Sequence, residues 1–258
     1  MTRKIPWLGT NWKMHKSRAE AIAFAETLKA SRFANSDLAK LFFIPPMPWV
    51  EGLASIMRGT KVTVGVQNIH WADQGAYTGE VSPLMAKEIG ATLAEIGHSE
   101  RRQYFNETDD GVARKTAAAV KHGLTALVCI GDSRAEYDAG AAGDALARQT
   151  RFALRDVGKA AIGTVVLAYE PVWSIGEGGI PADPDFANQQ HKRIKEVSAD
   201  VLGEPLPVLY GGSVNPQNCC ELISKSDIDG LFIGRSAWNA PDFIAIIDTV
   251  TTLLGDKT

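Results

Sequence analysis

Eight short apolar runs recur along the chain with longer stretches between them: residues 5–9, 41–44, 62–66, 93–96, 126–130, 165–168, 207–209 and 231–233. Runs this short and this uniformly apolar predict strands buried on both faces, the habit of parallel sheets. The intervening stretches carry helical periodicity. Residues 18–30 place Ala21, Ile22, Phe24, Ala25 and Leu28 near one helical face, and residues 186–202 fit the same pattern. Alternating strand and helix predicts an α/β fold with right-handed parallel crossovers, either a closed barrel or an open doubly wound sheet. The strand count, in a chain of 258 residues, favours a (β/α)8 barrel, which typically takes about 250. The open sheet is disfavoured further because Gly9-Thr10-Asn11-Trp12-Lys13, after the first run, has one glycine where a dinucleotide fingerprint needs several. No internal repeat or linker divides the chain, so one domain over 1–258 is expected.

Charge and cysteine usage narrow the class. The formal net charge is -3 with no basic stripe, which argues against a nucleic-acid partner. The apolar runs are far shorter than the roughly 20 residues that span a bilayer, and residues 1–7 lack a secretory apolar segment, so no membrane partner and a cytoplasmic setting are expected. Cys129, Cys219 and Cys220 have no metal-ligand spacing, and free thiols are the expectation.

In such barrels the reactive groups stand at the carboxyl ends of strands. The residues there are Asn11 and Lys13 after the first run, His98 and Glu100 after the fourth, and Glu170 after the sixth. Gly211-Gly212-Ser213 and Gly234-Arg235-Ser236 follow the seventh and eighth. Each has a bland alternative: Lys13 a solvated charge, His98 a satisfied histidine, Glu170 a rim salt bridge, the glycines ordinary turns. Their settings favour function. Ser99 is placed to cap a short helix starting at Glu100, which would set the His98 imidazole near positive helix-end charge and favour its neutral form. Glu170 stands between a buried strand and Pro171-Val172-Trp173, where partial desolvation strengthens a base. The glycines of Trp173 to Pro181 suggest a hinged lid rather than a plain linker. The paired glycine turns can present backbone N–H groups to a phosphate dianion.

At these residues the sequence resembles the triosephosphate isomerase family. The resemblance runs through Gly9-Thr10-Asn11-Trp12-Lys13-Met14, Ile96-Gly97-His98-Ser99-Glu100-Arg101-Arg102, Ala168-Tyr169-Glu170-Pro171-Val172-Trp173 and Tyr210-Gly211-Gly212-Ser213-Val214. It implies a TIM barrel with Glu170 as general base, His98 as neutral electrophile, Lys13 as the cation near the substrate oxygens and Asn11 as a polar neighbour. The glutamate base and neutral histidine are roles the family's best-known enzyme already illustrates. Backbone N–H groups of Gly176, Ser213, Gly234 and Arg235 are implied as the phosphate cradle, with Glu100 and Cys129 behind the reacting groups. Gly75-Ala76-Tyr77-Thr78-Gly79-Glu80 matches the family's interdigitating loop, which implies a homodimer with Thr78 near the partner's site. No metal or other cofactor is implied.

Three departures stand out. The lid tip is Gly176-Glu177-Gly178-Gly179 where the family usually has a Gly-Thr-Gly-Lys type tip, the last turn is Gly234-Arg235-Ser236-Ala237-Trp238 in place of Gly-Gly-Ala-Ser, and Asp132 replaces a usual glutamate. With His70-Trp71-Ala72-Asp73-Gln74-Gly75 and Asn215-Pro216, they are similar to the branch acting on tetrulose phosphates in erythritol-type catabolism. That branch converts L-erythrulose 1-phosphate to D-erythrulose 4-phosphate. An ordinary triosephosphate isomerase and a non-catalytic phosphate-binding barrel stay open as alternatives, so the expected ligand is a phosphorylated three- or four-carbon sugar.

Overall fold

A computed structural model describes residues 5–159, 162–175 and 179–255. Eight parallel strands close into a barrel in chain order: β1 (Trp7–Asn11), β2 (Lys40–Ile44), β3 (Thr63–Val66), β4 (Leu93–Ile96), β5 (Thr125–Ile130), β6 (Val165–Tyr169), β7 (Val208–Tyr210) and β8 (Gly230–Ile233). β1 pairs with β2 on one side and with β8 on the other, which leaves no sheet edge. Helices fill the connections, so the architecture is the (β/α)8 barrel.

Every apolar run holds a strand, but two are displaced. β1 begins at Trp7, two residues later than expected, and β7 begins at Val208 instead of Pro207. The reason is the same in both. Pro6 and Pro207 have no N–H for the ladder, and each contributes only its carbonyl, to Lys40 N at 2.8 Å and to Leu167 N at 3.0 Å.

The strands look uniformly apolar because each face has its own core. Phe42, Ile44, Leu93, Leu127, Cys129, Val166, Ala168, Leu209 and Phe232 fill the barrel interior, while alternate residues such as Leu41, Phe43, Ala94 and Ile96 pack outward against the helices.

Helix Arg18–Ala30 follows a capping box in which Ser17 and Glu20 exchange hydrogen bonds, and it buries Ala21, Phe24, Ala25 and Leu28. Ile22 falls off that face. Helix Pro184–Leu202 starts two residues earlier than expected. Asp183 accepts from the N–H groups of Asp185 and Phe186 at 3.0 Å each, and Pro184 fits the first helical position. Among the described residues, no helix is long and apolar enough to cross a membrane.

Candidate active site

The carboxyl ends of the strands enclose a cavity of about 480 Å³. Asn11, Lys13, His98, Glu100, Glu170, Ser213, Gly234 and Arg235 all line it, although up to 224 residues separate Asn11 from Arg235 in the chain. Gly176 lies outside the described residues, as do Glu177 and Gly178.

Glu170 follows β6 directly and is 2% exposed. Its Oε2 accepts the Ser99 N–H at 3.0 Å, and its Oε1 stands 3.5 Å from His98 Nε2. No rim salt bridge to lysine or arginine involves it among the described residues. The close fit needs glycine beside it: a Cβ on Gly211 would come 3.0 Å from Glu170 Cγ.

His98 corrects the expected capping. Helix Ser99–Tyr104 is capped by His98 itself, whose Nδ1 accepts the Glu100 N–H at 3.1 Å. A ring nitrogen that accepts carries no proton, so the one proton of the neutral imidazole sits on Nε2, facing the cavity and Glu170. Gly97 makes the turn into this position with φ 76°, a backbone conformation few other residues adopt without strain.

Lys13 has φ 53°, a left-handed conformation that costs a residue with a side chain. Its N–H donates to Asn11 Oδ1 at 2.6 Å, its carbonyl accepts from Gln67 Nε2 at 2.7 Å, and its ammonium reaches Glu100 Oε1 at 2.7 Å. The Asn11 amide nitrogen does not face the cavity. It donates to both oxygens of Glu95, at 2.7 and 3.0 Å.

Glu95 is fully buried inside the barrel, and Cys129 Sγ lies 3.8 Å from its Oε1. Burial pushes the Glu95 carboxyl up to about 7, with Glu170 acting the same way and His98, the Asn11 hydrogen bond and Lys13 opposing. The Cys129 thiol is held well above its usual range by burial and by the two carboxyls, which keeps it a weak donor rather than a nucleophile. One ligand-type atom each from Glu95, His98 and Glu170 falls within 4.8 Å of the others. That closeness equally serves proton transfer, which uses the same lone pairs.

The phosphate-type turns are tied to their neighbours. Ser213 N donates to Ser174 Oγ at 3.3 Å, so the β7 turn touches the near end of the lid segment. Gly234 opens a 3₁₀ turn, Arg235–Ala237, whose first N–H groups have no carbonyl partner within the turn. Trp238 pins this turn to β1 by donating to Asn11 O at 2.9 Å, and the His15 ring lies 4.3 Å from it.

Asp132, noticed in the sequence only as a departure, anchors the Val172–Ser174 turn that follows β6. Fully buried, it accepts from Tyr169 Oη at 2.8 Å and from Trp173 Nε1 at 2.9 Å. Burial, with the Asp132 carboxylate beside it, holds the Tyr169 phenol far above its usual range, so it stays a donor.

Glu95, Gln67 and Trp238 escaped sequence reasoning. Glu95 did leave a signal: a charge at an inward register of a strand apolar elsewhere. Gln67 left none, because its bonds to Lys13 O, Ile44 O and Asn11 Oδ1 join groups remote in the chain, and Trp238, marked only as part of the altered last turn, gave no sign of its bond to Asn11 O.

The triosephosphate isomerase family model matches residues 6–250. An L-erythrulose-1-phosphate isomerase of Rhizobium etli is 48% identical over 251 residues, covering 97% of this chain and 94% of that protein. The protein of the same name from Rhizobium meliloti is 49% identical over 97% of this chain and 98% of its own length. That of Brucella abortus is 49% identical, covering 95% and 96% respectively.

Proposed function

The chain belongs to the triosephosphate isomerase family, and from that premise we propose that it interconverts L-erythrulose 1-phosphate and D-erythrulose 4-phosphate. The carrying observation is the convergence of Glu170, His98 and Lys13 on one cavity, with Glu170 Oε1 3.5 Å from His98 Nε2.

In the forward direction Glu170 removes the C3 proton, acidified by the neighbouring C2 ketone, and negative charge passes to the C2 oxygen. The His98 Nε2–H and the Lys13 ammonium stabilise that oxygen in the enediolate. The proton returns to carbon C2, the C3 hydroxyl passes its own proton to the C2 oxygen by way of His98 Nε2, and the C3 oxygen becomes the ketone, so atoms and electrons balance within the substrate and nothing external is consumed. Backbone N–H groups of Gly176, Ser213, Gly234 and Arg235 hold the phosphate, for which Ser213 releases Ser174 Oγ. Glu100 holds the Lys13 ammonium and Cys129 backs Glu95. No metal or organic cofactor enters this scheme.

The names of the relatives favour the tetrulose substrate over a triose, and the cavity volume suits either. The reading extends to one domain over 1–258, a cytoplasmic setting consistent with three free cysteines, a place in erythritol-type catabolism, and a homodimer. Purified enzyme should show kcat/KM for the tetrulose phosphate at least ~10²-fold above that for glyceraldehyde 3-phosphate. Triose turnover near the diffusional ceiling of about 10⁸ to 10⁹ M⁻¹s⁻¹ with negligible tetrulose turnover would make it an ordinary triosephosphate isomerase. Glu170→Ala should lose roughly 10²- to 10⁴-fold in kcat while still binding sugar phosphate, as removal of a general base does. An unchanged rate would reject Glu170 as the base, whereas a wild type that binds sugar phosphate without turning it over would be a non-catalytic phosphate-binding barrel.

A further inference from the structure

Glu95 is the one charged residue of β4. It lies at the inward register, two residues beyond Leu93, beneath the cavity rather than on its wall. No lysine or arginine pairs with it among the described residues. Taking a carboxylate out of water costs several kcal/mol, while the neighbouring inward positions hold Leu93, Leu127, Val166 and Phe42 at no such cost. Packing therefore does not account for a glutamate here.

Its effect can be followed bond by bond. A carboxylate only accepts, whereas an amide has a donor end and an acceptor end. With Asn11 Nδ2 drawn to Glu95, Asn11 Oδ1 must face the opposite way, and there it takes the Lys13 N–H at 2.6 Å and Gln67 Nε2 at 3.1 Å. Those bonds hold Lys13 in its left-handed conformation, from which its ammonium reaches Glu100 on the cavity wall.

We propose that Glu95 is a positioning residue of the isomerase site: by deciding which way the Asn11 amide faces, it holds the Lys13 backbone, and so the ammonium, over the substrate oxygens. This rests on the isomerase reading above. The titratable groups around it are Lys13 after β1, Cys129 on β5, Glu170 after β6 and His98 at the end of its own strand. Only the ionised carboxyl offers both oxygens as acceptors, so its protonation loosens Asn11.

The test compares Glu95→Val and Glu95→Gln with wild type on the same sugar phosphate, with thermal midpoints measured alongside. Glu95→Val should lose about 10- to 100-fold in kcat/KM, the cost of a misplaced catalytic group, with its midpoint close to wild type. Glu95→Gln keeps an acceptor for Asn11 and should recover to within about 5-fold of wild type at pH 8. The ratio of Glu95→Gln to wild-type kcat/KM should rise about 5- to 10-fold from pH 8 to pH 6, as the wild-type carboxyl protonates. Ionisation of the substrate phosphate cancels in that ratio. A packing role predicts the reverse: a lowered midpoint, spared kcat/KM and a flat ratio, and that result overturns the proposal. Should Glu95→Val fail to fold, the flat or rising ratio of Glu95→Gln decides. Active wild type with unaffected variants sinks Glu95 alone; wild type inactive on both sugars sinks the isomerase reading and this inference with it.

Discussion

A carboxyl group shielded from water holds its proton more tightly, and at Glu95 burial carries this from 4.5 to about 7. Between those values the folded chain keeps a proton that the unfolded chain has released. Stability is therefore fully present below about 4.5 and is lost as pH rises through about 7, on the order of 3 kcal/mol in all. Glu95→Gln has no such proton to keep. In urea unfolding from pH 4.5 to 8, wild type should lose roughly that much stability relative to Glu95→Gln, and a constant difference would mean that the carboxyl titrates normally. Catalysis at neutral pH would then draw on the less stable, ionised form, a conflict typical of functional groups inside a core. At this scale the side chains that line the cavity were legible because they follow buried strands and lie in dense motifs. Glu95 was passed over because it sits inside the run Leu93 to Ile96, where the surrounding apolar residues set the reading. The capping role of His98 was also out of reach, since it depends on which ring nitrogen meets Glu100 N.

Strand ends depend on which backbone groups can join the ladder, and the turn after β6 is held by side chains. Prolines shift β1 and β7, and Asp132 secures the turn after β6 through Tyr169 and Trp173. Val172 N also donates to Asp132 O at 3.0 Å, and the Trp173 ring lies 4.4 Å from Tyr137, so this turn is firmly held. Asp132→Ala would leave a buried phenol and an indole N–H without an acceptor. It should cost about 2–6 kcal/mol in urea unfolding, at roughly 1–3 kcal/mol per orphaned group, and a loss under about 0.5 kcal/mol would show that other groups hold this turn. The eight strands and the helix Arg18–Ala30 were legible because two-sided burial and helical periodicity are written in consecutive residues. The part played by Asp132 was not, because its partners lie 37 and 41 positions away.

For the whole molecule, the loop from Gly75 to Glu80 is exposed, with Tyr77 packed 4.0 Å from the His70 ring. Exposed Met14, Tyr77, Met85 and Phe105 add apolar surface, the kind of area a subunit interface covers. Light scattering on the purified chain should therefore give twice its 27.8 kDa mass, and a mass of 27.8 kDa at micromolar concentration would reject the homodimer. Local sequence by itself determined the alternation of buried strand and amphipathic helix, and hence the barrel and the rim where polar residues gather. Only the tertiary structure decided that Glu95 turns Asn11, that His98 presents Nε2, and that Ser174 occupies Ser213 N. Periodicity is a property of neighbours in the chain, whereas the direction of a hydrogen bond depends on which partner the closed barrel brings across its axis.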